Sequence, residues 1–155
     1  MYAQPLYLMG INFGSDPELL VKQGASAETT RESYLRFDIP AVSVTSAMLR
    51  LYGHLSATDD AAVVTSAFGV ADTGWQTSTL TWNNRPTGGT ALGTITVAGT
   101  TPAWVQIDVT GYVNAEISAG HRAITIALRN PTHTTTRAGF NSGDAAANNP
   151  ELIIR

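Results

Sequence analysis

The sequence predicts an all-β fold, an antiparallel jelly-roll-like β-sandwich that carries one short helix. Apolar and polar residues alternate in several short runs, and clusters of Gly, Pro, Asn, Asp and Thr separate these runs. Alternation with a period of two is typical of strands with one buried face, and frequent turns between short strands are typical of sandwiches. Since a chain of 155 residues has the size of one ordinary domain, we expect a single β-sandwich domain over residues 1–155.

Five alternating runs are assigned as strands. In chain order they are YLRFDI, AMLRLYG, WVQIDVT, AITIALR and ELIIR. In the second run Leu49 and Leu51 share one face, which we expect to be buried, while Arg50 and Tyr52 share the other.

One stretch has helical spacing instead. In DVTGYVNAEISAGH, Val113 and Ile117 lie four residues apart and therefore on one helix face. Thr110 is suited to cap the start of this helix, and Gly120 is suited to end it. We expect a short helix that closes one end of the sandwich.

The composition excludes several classes of function. Charged residues make up 14% of the chain and the formal net charge is -3, so the basic surface that binds nucleic acid or anionic membranes is missing. No apolar run approaches the roughly 20 residues of a membrane-spanning helix, which predicts no membrane insertion. The absence of cysteine excludes disulfides and thiolate chemistry. The opening MYAQPLYLMG lacks the basic and apolar regions of a signal peptide, so we expect no signal peptide in this chain.

The sequence contains no recognisable catalytic constellation. None of the three histidines has the spacing of metal ligands, and there is no G-x-S-x-G elbow and no phosphate-binding loop. No two carboxylates are marked as a pair for glycoside hydrolysis. We therefore predict that the protein is not an enzyme.

Two loops have a composition that suits a structural calcium ion. Calcium binds six to eight oxygens, often from loop carboxylates, amides and backbone carbonyls. The stretches GINFGSDPE and FNSGDAAANNP offer Asn12, Asp16, Asn141 and Asp144 as candidate ligands. The alternative is ordinary turn chemistry, because Asn, Asp and Gly form turns in any β protein.

Six stretches carry a resemblance to a known family. They are NFGSDPELLVK, RESYLRFDIP, VTSAMLRLYG, GWQTSTLTWNNRP, VQIDVTGYV and FNSGDAAANNPELIIR, in the family's order and over most of the chain. Together they resemble the DNRLRE-type β-sandwich domain, which overlaps carbohydrate-binding module family 96. The resemblance implies a jelly-roll-like sandwich in extracellular bacterial proteins, often beside enzymes that act on acidic polysaccharides, with alginate as the best-attested ligand class. Such domains also occur in large surface and phage proteins.

The sequence departs from the family pattern at two places. The family's first strand usually begins with an acidic residue, whereas this chain opens with MYAQPLYLMG, and Thr77 stands where a Glu is common. Neither a calcium site that uses that acid nor a role of that Glu is therefore carried over.

The three tryptophans are expected to play different parts. In STLTWNNRPTGG, Trp82 is predicted to fix the loop, with its N–H bonded to a turn carbonyl, and Trp75 is predicted to act likewise. The resemblance supports this, since the T-W-N-N-x-P piece recurs in members with unrelated ligands. Trp104 opens a strand on its outer face, where it serves either as edge cover or as an aromatic platform for a sugar.

Basic residues are the leading candidates for ligand contact, because Arg binds a carboxylate through two parallel charge-assisted hydrogen bonds. Arg36 and Arg50 are expected on the outer faces of neighbouring strands, with Tyr34 and Tyr52 beside them. The alternative is that the two arginines belong to a ladder of cross-strand ion pairs. The remaining candidates for this surface are Lys22, Arg31, Arg85, Trp104 and Arg137.

The sequence thus predicts a non-catalytic extracellular module that recognises a polysaccharide, most readily an acidic one of the alginate type, through a basic groove. The alternative is a structural, decoration or adhesion module of an extracellular assembly, such as a phage virion or a bacterial surface protein, which binds protein subunits and no glycan. In that case a self-contact surface is expected around Met1, Tyr2, Tyr7 and Met9.

Overall fold

The computed structural model describes residues 2–3 and 10–155, and it describes side chains from residue 10 onward. Met1, Tyr7 and Met9 of the expected self-contact surface lie outside the described residues, as does the side chain of Tyr2. The strands are β1 (Tyr2–Ala3), β2 (Glu18–Val21), β3 (Ser33–Asp38), β4 (Ala47–Leu55), β5 (Ala62–Val70), β6 (Thr90–Ala98), β7 (Ala103–Asp108), β8 (Ala123–Arg129), β9 (Ala138–Asn141) and β10 (Glu151–Ile154). An α-helix, α1, spans Thr110–Ser118, and a single 3₁₀ turn spans Ala27–Thr29.

The described strands form two antiparallel sheets. The first sheet has the order β1-β3-β8-β5-β6. The second has the order β10-β4-β9-β2, and β7 pairs with β4 on the side opposite to β9 and β10. In the part of the chain that the structure describes, the fold is therefore the predicted antiparallel β-sandwich with one α-helix.

The inner faces of the two sheets form the main hydrophobic core. Alternate residues of β4, among them Leu49, Leu51 and Leu55, are buried, as the period of two predicts. They pack in one cluster with Ile124 and Ile126 of β8 in the other sheet. Burial of one such side chain stabilises the fold by about 1.5–3 kcal/mol, so the core fixes which face of β4 points outward.

The expectation that the strands of Arg36 and Arg50 are neighbours is wrong. β3, which carries Arg36, pairs with β1 and β8 in the first sheet. β4, which carries Arg50, pairs with β7, β9 and β10 in the second. The link over residues 39–46 crosses from one sheet to the other, so the outer faces of β3 and β4 lie on opposite sides of the sandwich.

A long connection covers the outer face of the first sheet. Between β5 and β6, the segment over residues 71–89 brings Trp75 and Leu80 against Tyr34, Val70 and Ala127, and these five side chains form a second buried cluster. Both faces of β3 and β8 are consequently buried over much of their length. The alternating pattern alone predicted one solvent-exposed face.

The helix follows the prediction in position and buried face but not at its start. Val113 and Ile117 are buried, and Gly120 after the helix end has a φ of 84°. Thr110 is the first helical residue rather than the cap; its backbone N–H donates to Oδ1 of Asp108 at 2.8 Å. The hydrogen bonds from the Thr110 hydroxyl and N–H lower the pKa of the Asp108 carboxyl below its ordinary value of 3.8. In the described residues no helix has the length and apolar character needed to cross a membrane.

Candidate functional site

The structure separates the predicted ligand residues into three groups and leaves Arg137 apart from them; one of the groups forms an open polar and aromatic surface. That surface lies on the outer face of β4 and its neighbours. Tyr52 of β4 pairs with Trp104 of β7, and their rings lie 5.3 Å apart at an interplanar angle of 58°. The guanidinium of Arg50 lies 4.4 Å from the centre of the Trp104 ring. Arg50, Tyr52 and Trp104, all named as ligand candidates from the sequence, therefore form one cluster.

A groove continues from this cluster along β4. It is lined by Ser46, Met48, Arg50, Gln106, Ile153 and Arg155. Together with Tyr52 and Trp104 these residues define what we call the β4 groove. The pairings Arg50–Gln106, Met48–Asp108 and Met48–Ile153 show that its walls come from β7 on one side and β10 on the other.

Arg50 is held in place by two contacts. Its Nη1 donates to Oε2 of Glu151 at 3.0 Å, across the β4–β10 pairing, and its guanidinium lies over Trp104. The alternative of a cross-strand ion pair is thus realised for Arg50, although its partner is Glu151. With 30% of the Arg50 side chain and 45% of the Glu151 side chain exposed, solvent reaches the pair, and a ligand carboxylate has access to the guanidinium.

Sequence reasoning missed Gln106, Met48, Ile153 and Arg155. Among the described residues, no group forms a hydrogen bond or ion pair with the Arg155 guanidinium. Its backbone pairs with Ser46, one step beyond the β4–β10 ladder, which places it at the far end of the groove from Trp104. Arg155 reaches the groove because ELIIR pairs with AMLRLYG, and neither segment by itself shows that the two pair.

The second group, Tyr34 and Arg36, anchors the covering segment over residues 71–89. Arg36 Nη1 donates to the carbonyls of Thr73 at 2.9 Å and Trp75 at 3.0 Å. Tyr34 is fully buried, and its hydroxyl lies 2.6 Å from Glu32 Oε2 and 2.9 Å from the Pro86 carbonyl. Burial, with the nearby Glu32 charge, raises the pKa of Tyr34 well above its ordinary value of 10.0. Both side chains are engaged inside the protein and lie away from the β4 groove.

The third group lies where the chain passes from β2 to β3. Lys22 and Arg31 are bridge partners, and the Lys22 ammonium donates to the Thr135 carbonyl at 2.9 Å. Arg31 Nη1 donates to the carbonyls of Glu28 and Thr30. Arg85 Nε donates to Glu32 Oε2 at 3.1 Å. The cation of Arg137, exposed just before β9, belongs to neither this group nor the β4 groove.

Trp75 agrees with the prediction, and Trp82 departs from it. Trp75 is 7% exposed, and its indole N–H donates to the Thr125 hydroxyl at 3.0 Å, so its predicted role in fixing the loop is confirmed. Trp82 is only half-buried, and its N–H has no hydrogen-bond partner among the described residues, so the predicted bond to a turn carbonyl is wrong. Asn84 fastens that turn instead, with Oδ1 accepting from Thr81 N at 2.6 Å.

Three of the four candidate calcium ligands, Asn12, Asp16 and Asn141, form hydrogen bonds with the protein. Asn12 donates to the carbonyls of Thr77 and Leu80, and Asp16 Oδ1 accepts from Glu18 N at 3.2 Å. The second loop is held by Asn141, which donates to the Ala147 carbonyl at 2.8 Å, and Asp144 is exposed beside it. The described residues contain no group of three or more His, Cys, Asp or Glu side chains placed to hold a metal ion. Calcium binding stays a prediction.

Comparisons with known proteins place this surface in a family context. A family model described as carbohydrate-binding module family 96 matches residues 8–155. A gellan lyase from Bacillus sp. is 27% identical over 129 residues, which cover 80% of this chain but only 5% of that protein's length.

Two solved structures are also similar at low identity. One is a carbohydrate-binding module, CBM36, in complex with calcium and xylotriose, at 12% identity and a TM-score of 0.41, covering 91% of this chain and 95% of that chain. The other is the K1 cleaved adhesin domain of Lys-gingipain from Porphyromonas gingivalis W83, at 9% identity and a TM-score of 0.40, with the same coverage of both chains. Neither likeness is close enough to bear on the ligand.

Proposed function

This chain belongs to carbohydrate-binding module family 96, and from that premise we propose that its β4 groove binds an acidic polysaccharide of the alginate type. The observation that carries the proposal is the open cluster of Arg50, Trp104 and Tyr52, in which a cation and two aromatic rings meet at the end of a groove that Arg50 lines. Ligand sites combine apolar and aromatic walls with a few placed polar groups, and this surface has that composition.

The aromatic pair provides a stacking surface for a sugar ring. Trp104 and Tyr52 are both half-buried on the outer face of the sheet, where their rings are rigid and partly open to solvent. A sugar ring presents C–H groups to such a surface and keeps its hydroxyls at the rim. Stacking therefore orients the polymer without dictating which acidic sugar is bound.

The charges of the groove favour a carboxylate-bearing polymer. Arg50 uses Nη1 for Glu151 and reaches a ligand carboxylate with its remaining N–H groups, and charge-assisted bonds of this kind are shorter and stronger than neutral ones. Arg155 adds a second cation at the other end. Arg50 and Ser46, whose backbone pairs with that of Arg155, are four residues apart, a span of about 13 Å at 3.3–3.4 Å per residue. That length exceeds one sugar ring, so the groove suits a polymer that carries repeated carboxylates.

The proposal includes a non-catalytic role in an extracellular protein. The gellan lyase relative acts on a polysaccharide according to its name, and this chain corresponds to a small part of it. We propose that this chain serves a comparable larger protein as a polysaccharide-binding module, and gellan joins alginate among the polymers to be tested.

Affinity electrophoresis tests the proposal directly. The protein is run through gels that contain alginate, gellan, pectate, hyaluronate or a neutral glucan, with calcium and with a chelator. We expect retardation by at least one acidic polymer, relieved by salt and lost in Trp104→Ala. Unchanged mobility in every gel would contradict the proposal and favour the structural or adhesion role instead.

The variant Arg155→Ala tests the second cation, with Arg122→Ala as its control. Both substitutions remove one exposed arginine, but Arg122 lies in the turn after α1, where Nη1 donates to the His121 carbonyl. We expect retardation to weaken in Arg155→Ala and to stay unchanged in Arg122→Ala. Equal weakening in both would mean that net charge alone governs mobility and that the groove is not the site.

A further inference from the structure

A second hollow with the chemistry of a sugar site lies beside the connection between β2 and β3, over residues 22–32. It is lined by Gln23, Thr30, Glu32, Trp82 and Arg85, together with the small residues over 24–27. An adjoining hollow shares Gln23, Thr30 and Glu32 with it. We call the first of these the Trp82 hollow.

Trp82 offers a ligand a partly exposed ring and an indole N–H without a protein partner among the described residues. Trp82 is half-buried at the wall of the hollow, and Arg85 lies over its ring with the guanidinium carbon 3.5 Å from the ring centre. This cation and the bond from Arg85 Nη1 to the Trp82 carbonyl at 2.8 Å hold the ring in a fixed orientation. The Trp82 N–H is an unused donor with respect to the described residues, whereas the N–H of Trp75 is bonded.

Glu32 supplies an unused acceptor beside it. Its Oε2 receives donors from Tyr34 at 2.6 Å, Arg85 at 3.1 Å and Arg129 at 3.3 Å, which fix the carboxylate in place. Its Oε1 has no hydrogen-bond partner among the described residues, although only 13% of the side chain is exposed. A largely buried acceptor without a protein partner calls for an explanation, and a ligand hydroxyl provides one.

We propose that the Trp82 hollow is a second carbohydrate subsite, specific for a neutral sugar unit. An aromatic ring, a fixed donor and a fixed acceptor together match a ring that carries several hydroxyls. Glu32 and Arg85 are the charged residues that line the hollow, and Glu32 Oε2 is already paired with Arg85 and with Arg129 behind it. A hydroxyl group donates to Glu32 Oε1, whereas the carboxylate of a uronic acid has no hydrogen to donate to it, so this acceptor favours a neutral unit.

The subsite is separate from the β4 groove. Trp104 lies on β7 at one edge of the second sheet, and Gln23 follows β2 at the other edge. The strands between them are β4 and β9, so three strand spacings, about 14 Å in all, separate the two edges. The inference rests on the proposed function only in that it takes a polysaccharide as the ligand. A polymer with both acidic and neutral units, or two separate chains, would be able to occupy both sites.

The three tryptophans make the test direct, because ¹⁵N-labelled protein gives one indole N–H signal for each of Trp75, Trp82 and Trp104. The signals are assigned with the single Trp→Phe variants. The protein is titrated separately with cellohexaose, laminarihexaose, xylohexaose and an alginate oligosaccharide. We expect at least one neutral oligosaccharide to shift the Trp82 signal in a saturable way and to leave the Trp75 signal unmoved.

The same spectra separate failure of this inference from failure of the proposed function. A Trp104 signal that alginate does not move contradicts the β4 groove and leaves the Trp82 result standing. A Trp82 signal that no neutral oligosaccharide moves overturns the second subsite, and a Trp82 signal that only alginate moves overturns its neutral specificity.

The variant Trp82→Phe isolates the hydrogen bond. It keeps an aromatic ring but removes the donor, and loss of one hydrogen bond of ordinary strength weakens binding about two- to tenfold. Binding is followed by calorimetry with the oligosaccharide that moves the Trp82 signal. Trp104→Phe is the matched control and should leave that affinity unchanged. An unchanged affinity in Trp82→Phe, with thermal unfolding like that of the parent protein, would mean that the N–H does not contact the sugar.

Discussion

Replacement of Arg50 by Ala tests the β4 groove most sharply, because the chain offers a matched control in Arg36→Ala. Both arginines sit at outer positions of alternating strands, and both substitutions remove one positive charge. Arg50 lies in the open groove beside Trp104, whereas Arg36 holds the carbonyls of Thr73 and Trp75 under the covering segment. We therefore expect Arg50→Ala to lower the affinity for the polysaccharide and Arg36→Ala to lower the stability of the fold.

For Arg50→Ala the structure predicts a small loss of stability and a large loss of affinity. The variant loses a solvent-exposed ion pair with Glu151, worth about 0.2–1 kcal/mol, and a cation–π contact with Trp104, worth about 0.5–1 kcal/mol. A charge-assisted hydrogen bond to a ligand carboxylate is worth about 1.5–3 kcal/mol. This corresponds to roughly a 10- to 150-fold weaker affinity for the acidic polymer.

For Arg36→Ala the expected pattern is reversed. The carbonyls of Thr73 and Trp75 lose a charged donor at a half-buried position, which costs about 1–3 kcal/mol of unfolding free energy. Retardation in the acidic gel should stay at the parent level, because Arg36 lies on the opposite side of the sandwich from the groove.

The assay pairs affinity electrophoresis, at several salt concentrations, with urea unfolding of the same samples. If the two variants lose retardation equally, the effect is one of net charge and the groove assignment is wrong. If Arg50→Ala binds as well as the parent protein, Arg50 is a structural ion-pair residue and the reasoning from exposure and stacking is refuted.

Three further predictions concern Glu151, Trp75 and Tyr34. Glu151→Gln removes the internal carboxylate that competes for Arg50, so binding of the acidic polymer should tighten by up to about fivefold, the equivalent of an exposed ion pair; weaker binding in the gel would contradict this. Trp75→Phe leaves the buried Thr125 hydroxyl without its donor and should lower the unfolding free energy by about 1–3 kcal/mol in urea while retardation stays unchanged. Because burial raises the pKa of Tyr34, its contribution to stability is complete below the ordinary value of 10.0 and is lost as the pH rises above it. Unfolding free energy should fall there by up to about 1.4 kcal/mol per pH unit, less steeply in Tyr34→Phe.

The strand assignments show how far alternation predicts this fold. AITIALR is β8 to the residue, and AMLRLYG and ELIIR coincide with β4 and β10 within two residues. The strands that were not assigned, β1, β2, β5, β6 and β9, include the run AVVTSAFGV. In that run small and β-branched residues occupy both faces, so the contrast between the faces is weak.

The candidate site was predicted only in part. Arg50, Tyr52 and Trp104 were found because each occupies an outer position that the local pattern defines. Gln106 and Arg155 were not, because nothing in their own segments places them in the same groove as Arg50. The free donor of Trp82 was also missed, since only the structure shows that Asn84 fastens its turn.

The sequence by itself determined the fold class, the buried face of the strands it assigned, and the helix with Val113 and Ile117 inside. Each of these depends on backbone geometry that repeats within a few residues, so a local pattern of apolar side chains is sufficient to reveal it. Only the tertiary structure decided that Arg36 is covered and Arg50 is open. Two strands with the same alternation differ in sheet partner and in what packs over their outer faces, and both depend on contacts between residues far apart in the chain.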